Sequence, residues 1–218
     1  MEDHDDFAFE PVPGLPEKLP QGETMLWQGS PEWRDLARSA FHVRKVVAYF
    51  GLVLAWQVAS ALRSGQSLSD LGATSLWVAA LCAAAVAILC LLAWLYARGT
   101  IYTLTTRRIV IRSGLALPVT LNLPLALVES AAVAGGGNRH GSIVLEVTKP
   151  NRVAWLVLWP NARPWRFNDP QPMLRCIDNV AEVSRTLAGA LRGDLSVAPV
   201  RATKAENATA PVGVSVAA

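Results

Sequence analysis

The sequence predicts an α+β membrane protein in which a two-helix transmembrane hairpin precedes a seven-stranded β-sandwich or barrel capped by a C-terminal helix. Three observations carry this. The 218-residue chain is 52% hydrophobic and only 17% charged, with a mean hydropathy of +0.29, whereas soluble domains are about 25% charged. Two stretches, 46–62 and 75–97, contain no charge. Beyond Gly99 the hydrophobic period shortens from helical to strand-like, with turn residues between short runs.

Residues 1–33 carry eight acids and one base, leaving them at −7, while the remaining 19 bases and nine acids leave the rest at +10. An acidic arm therefore precedes a basic body. Pro11, Pro13, Pro16, Pro20 and Pro31 prevent a continuous helix, so the arm is expected to be extended, with Leu26 and Trp27 as anchors. Its acidic start has no apolar core of a signal peptide and is expected to stay on the mature protein. Residues 34–45, with Arg34, Arg38, Arg44 and Lys45, are read as a juxtamembrane helix.

The 17 residues of 46–62 and the 23 of 75–97 fall within the roughly 17–25 that a spanning helix needs. The short polar segment 63–74 between them implies an antiparallel hairpin. Four basic residues precede the first span, Arg98, Arg107, Arg108 and Arg112 follow the second, and the loop has only Arg63. The positive-inside rule then places both termini in the cytoplasm of a bacterial host. Trp77 and Trp94 suit opposite membrane interfaces, and packing would explain their positions equally well. Small residues recur every four positions at Gly51, Ala55 and Ala59 and at Ala80 and Ala84. Such faces allow close helix contact, either within the hairpin or with a partner.

Strands are expected at 100–104, 108–112, 116–121, 125–131, 142–147, 152–158 and 164–168. A helix over 172–191 follows, with Pro172 in its first turn, a stripe through Met173, Ile177, Val180, Leu187 and Leu191, and Gly193 as its C-terminal cap. The resulting division is an arm (1–33), a membrane unit (34–97), a cytoplasmic β-domain (98–192) and a disordered tail (193–218).

Reactive groups are sparse. The three histidines, His4, His42 and His140, have no metal-ligand spacing, and there is no CxxC. Cys82 and Cys90, eight residues apart on one helix, are about 12 Å apart along its axis and cannot form a disulfide there. Gly135, Gly136 and Gly137 lack the downstream lysine of a phosphate loop. Neither span holds a histidine, and His42 borders the first. No catalytic residue, metal site or cofactor is therefore assigned. The nine bases and three acids of 98–169, interleaved with Trp155, Trp159, Trp165 and Phe167, fit apposition to an anionic leaflet better than a nucleic-acid groove. Arg107, Arg108 and Arg112 are the candidate lipid contacts.

Two membrane helices followed by such a domain are similar to bacterial membrane proteins with a pleckstrin-homology-like (PH-like) domain. IYTLTTRRIVIRSG (101–114) resembles that family's opening hairpin, and GETMLWQGSPEW the arm before its helix pair. The fuller string HDDFAFEPVPGLPEKLPQGETMLWQGSPEW (4–33) resembles the photosynthetic-complex assembly proteins of purple bacteria, encoded beside the reaction-centre H subunit. The resemblance spans 4 to about 192 and implies a non-enzymatic role in assembling the reaction centre with its core light-harvesting antenna. Reaction-centre and core-antenna subunits are then the expected partners, with homo-oligomer formation left open. Docking is placed on Leu26, Trp27, Pro31 and Trp33, and the expected location is the inner (intracytoplasmic) membrane. A general membrane-anchored interaction or lipid-sensing module with another client, and a membrane enzyme whose site forms only in the fold, are the alternatives.

Overall fold

The computed structural model describes residues 14–15, 17–65, 67–114, 119–136, 140–148 and 154–193. The acidic start of the arm, the glycine loop around Gly137 and the expected disordered tail beyond Gly193 lie outside the described residues.

Strand β1 (Met25–Gly29) is followed by helices α1 (Trp33–Ser39), α2 (Val43–Ser64) and α3 (Leu68–Gly99). The 34–45 segment is thus two pieces, because His42 adopts a left-handed φ of 53° that ends one helix before the next begins. Most of the expected 63–74 loop is helical. The connection shrinks to a few residues between Gly65, left-handed at φ 66°, and Ser67, whose side chain accepts from the Asp70 backbone N–H at 3.2 Å as the N-cap of α3. Both long helices are long and apolar enough to cross a membrane. At 1.5 Å per residue, Trp77 and Trp94 lie about 26 Å apart along α3, close to the roughly 30 Å of a hydrocarbon core.

The β-domain has two antiparallel sheets. The first has the order β1-β2-β3-β4, with β2 (Ile101–Thr105), β3 (Arg108–Ser113) and β4 (Val119–Pro124). A 3₁₀ turn (Leu125–Leu127) leads into the second sheet, β5 (Val128–Gly136), β6 (His140–Val147) and β7 (Met173–Asp178). On one face of the first sheet Tyr102 opposes Ile111 and Leu104 opposes Ile109, and all four are buried. Cross-strand apolar pairs of this kind stabilise a sheet by a few tenths of a kcal/mol up to about 1 kcal/mol each. Ile143 and Leu145 of β6 and Leu174 and Ile177 of β7 join the same core. Helix α5 (Val180–Leu191) buries Val183 and Leu187 against it, and Gly193 follows with φ 74°, as a C-terminal cap requires.

Among the described residues there are seven strands and a capping helix, but not all where expected. Residues 25–29, assigned from sequence to the arm, form an edge strand paired with β2. Leu125–Leu127 is a 3₁₀ turn, so the strand expected at 125–131 starts at Val128 and runs longer. In the strand expected at 152–158, the described part contains a short helix, α4 (Trp155–Leu158), and 164–168 is turns. The expected 172–191 helix is β7 followed by α5. Residues Met173 to Ile177 are buried without interruption, because Leu174 and Ile177 face the core shared with the first sheet and α5 while Cys176 packs against α1, and a fully buried strand loses the alternation that would mark it.

Candidate interaction surface at the hairpin–domain junction

Helix α1 is a wedge between the apolar hairpin and the β-domain. Its buried Leu36 packs with Tyr96 and Ala97 from the end of α3 and with Cys176 of β7, flanked by Trp33 and Phe41. The β7 backbone is bent to meet it: Cys176 has φ 51°, a conformation that costs a non-glycine residue on the order of 1 kcal/mol or more. Three contacts hold it there. Its N–H donates to Ser142 Oγ at 3.1 Å, its carbonyl accepts from the Glu32 N–H at 2.8 Å, and its sulfur lies 3.2 Å from Ser39 Oγ. Burial pushes the Cys176 thiol above its ordinary pKa despite the Ser39 contact, so it is not a thiolate nucleophile at neutral pH.

The two hairpin ends nearest the domain are tied to the segment between β6 and β7. Trp159 meets Phe41, just before α2, edge-on at 6.1 Å and Tyr96 of α3 at 6.2 Å. Tyr96 OH donates to the Trp159 carbonyl at 3.0 Å. Gly99, at the end of α3, comes so close to the end of β3 that a Cβ would lie 2.6 Å from the Gly114 carbonyl oxygen. Only glycine permits that approach.

Beneath this contact is a buried polar group. Tyr102 OH donates to Asn161 Oδ1 at 2.7 Å and accepts from the Arg175 N–H at 3.2 Å. Arg175 Nη2 donates to the Ala162 carbonyl at 3.0 Å. Burial raises the Tyr102 pKa and lowers that of Arg175, which suits structural roles over proton transfer. His140 sits with Nδ1 3.1 Å from Asp35 of α1 and Nε2 3.5 Å from Asp178 of β7, clasping the wedge to the second sheet.

The expected contact residues are distributed differently. Leu26 and Trp27 belong to the domain's own core and Pro31 is buried, so docking through these three is corrected to internal anchoring. Trp33 is half-buried against α3. Gly51, Ala55, Ala59, Ala80 and Ala84 are all exposed, and a Cβ on Gly51 would meet nothing within 4 Å. These small faces point away from the seam of the hairpin.

The arginine set also divides. Arg108 is held by the buried carboxylate of Glu23, Nε to Oε1 at 2.8 Å and Nη2 to Oε2 at 3.1 Å, and its assignment as a lipid contact is corrected accordingly. Burial works to raise the Glu23 pKa, but hydrogen bonds from Thr105 and Arg108 and the nearby arginine charges outweigh it and hold it below the ordinary range. Arg107 and Arg108 sit at the β2–β3 turn, about 13 Å along β2 from the α3 end at roughly 3.3 Å per residue. Arg112 pairs with Ile101 at the near end.

Glu129, Glu146 and Asp169 meet around a surface depression of about 460 Å³ with Thr148 and Gln171. The first two come together through the β5–β6 register, which sets Ser130 opposite Glu146. Among the described residues no group of three or more His, Cys, Asp or Glu could hold a metal ion.

A protein-family model described as "Bacterial PH domain" matches residues 46–191, spanning both long helices, six of the seven strands and α5. A Rhodobacter capsulatus protein described as "Uncharacterized 23.7 kDa protein in puhA 5'region" is 39% identical over 197 residues, covering 90% of this chain and 92% of that protein. No solved structure matches. The matched stretch begins within α2, so β1 and α1 lie outside it. With two-thirds of its length fitting the family model, the chain belongs to the bacterial PH domain family.

Proposed function

We propose that the protein is a membrane-anchored, non-enzymatic assembly factor for the photosynthetic reaction centre and its core light-harvesting complex. The observation that carries this is the near full-length relative in the puhA 5' region, together with the resemblance of residues 4–33 to reaction-centre assembly proteins. The hairpin spans the inner membrane with both termini cytoplasmic. The PH-like domain, fixed to it through α1, Trp159 and Gly99, offers a rigid cytoplasmic surface to incoming subunits. The outward faces through Gly51, Ala55 and Ala59 and through Ala80 and Ala84 remain open to partner helices.

Two measurements test this. Reporter fusions at Gly65 and after Gly193 are expected to read periplasm and cytoplasm respectively, and the reverse pattern would sink the topology. Deletion is expected to lower reaction-centre and core-antenna absorbance in membranes while pigment synthesis continues, with photosynthetic subunits recovered on the tagged protein. Normal complex levels and no recovered subunit would instead favour a PH-like module serving another client.

A further inference from the structure

The segment 154–170 exposes aromatic surface that the fold leaves uncovered. Trp165 is 83% exposed, Phe167 58% and Trp159 46%. The Phe167 ring packs on Trp155 at 5.1 Å, which holds the segment in shape. Trp165 has a left-handed φ of 64°, an unusual conformation for a bulky side chain and one kept where the surroundings impose it. Exposed Arg163 and Arg166 flank Trp165, and Arg163 is steadied by donating to Gln171 Oε1 at 2.8 Å.

Its position in the fold identifies what covers it. Trp159 is bonded to the domain-side end of the hairpin through Tyr96 and Phe41. At that end Arg98 stacks over Trp94 at 4.8 Å, an aromatic–basic pairing typical of the level where hydrocarbon gives way to headgroups. The segment is therefore continuous with the hairpin's own interfacial ring. Its mixture of rigid amphipathic rings and arginines matches the chemistry of an anionic lipid surface.

We propose that residues 154–170 form an interfacial loop lying on the anionic phospholipid leaflet, with Trp165 and Phe167 at headgroup level and Arg163 and Arg166 on lipid phosphates. This rests on the hairpin spanning the bilayer. It also moves the lipid contact from the β2–β3 turn to the β6–β7 connection.

The test places a benzophenone amino acid singly at 165, 107 or 91 of the full chain, purified and reconstituted in vesicles of phosphatidylcholine with about one-third phosphatidylglycerol. Leu91 is exposed on α3 and reports insertion of the hairpin, and Arg107 is exposed at the distant turn. Lipid adducts are expected at 91 and 165, with 165 at least fivefold above 107. R163E/R166E should cut the adduct at 165 severalfold in anionic vesicles and leave it unchanged in pure phosphatidylcholine. An adduct at 91 with none at 165, equal adducts at 165 and 107, or capture of a second copy at 165 in place of lipid would each overturn the loop's role. No adduct at 91 would overturn the spanning hairpin instead.

Discussion

Arg108→Glu is expected to unfold the first sheet. The Glu23 side chain is 3% exposed and takes two hydrogen bonds from Arg108. Removing one partner of a buried ion pair costs about 3–5 kcal/mol, and reversal adds a second carboxylate against the first, so the loss should reach the upper end. Glu23→Gln should cost less, about 2 kcal/mol, because Arg108 keeps some access to water and can be solvated. The pH dependence has a definite sign. The Glu23 pKa is lowered from 4.5 in the fold, so its contribution is complete above the ordinary glutamate range and is lost as pH falls through the depressed folded value. Denaturant unfolding in detergent, followed by near-ultraviolet dichroism from pH 3 to 7, should show the native chain losing stability below about pH 4.5 and Glu23→Gln losing less of it. Equal acid sensitivity of the two chains would remove Glu23 from this role.

Ala84→Lys is expected to lower membrane insertion of α3 by about 2.5–3.5 kcal/mol, roughly a hundredfold in the insertion equilibrium. Ala84 lies near the middle of the 32-residue α3 and is exposed, turned away from the hairpin seam. The stretch 75–97 holds no acid to pair with a lysine there, and in a spanning helix the position would be too deep for its amine to reach water with ease. Ala73→Lys, near the start of the helix and also exposed, can extend its amine toward the interface and should insert nearly as well as the native chain. A glycosylation-based insertion assay separates the two. Equal insertion would mean that 75–97 does not cross the bilayer.

The parts of the fold legible in the sequence are those whose signal is local. Two charge-free stretches need no partner to be recognised, and the turn from Thr105 to Arg108, set between two short β-rich runs, brings its own register. Strand β1 was hidden among prolines because its pairing partner, β2, lies across the whole hairpin. Strand β7 was hidden because Met173 to Ile177 are all buried, a run that satisfies helical and extended periods alike. The junction follows the same rule. The spacing of Gly51, Ala55 and Ala59 marked a close-packing face, but only their exposure shows that it looks outward. Glu23 and Arg108 are 85 residues apart, and the clasp of His140 by Asp35 and Asp178 joins three elements, so neither leaves a mark on neighbouring residues. Glu129 and Glu146 lie in two of the expected strands, but the register shift between Val128 and Ser130 that sets their meeting is a tertiary feature without a local mark.

The pairing of β1 with β2 sets an order of events during synthesis. The first strand leaves the ribosome some 75 residues before its partner, and until both helices have been made it has no sheet to join. Closing so long an intervening segment is slow relative to local contacts, so the nascent edge strand stays unpaired while the hairpin is made. If the hairpin crosses the bilayer, strand and partner can meet only when it has crossed twice and returned to the starting side. A chain stalled after one crossing holds the two strands on opposite sides and cannot complete its β-domain. In that case completion of the sheet would depend on insertion, and only molecules whose membrane segment is already in place would carry a closed β-domain.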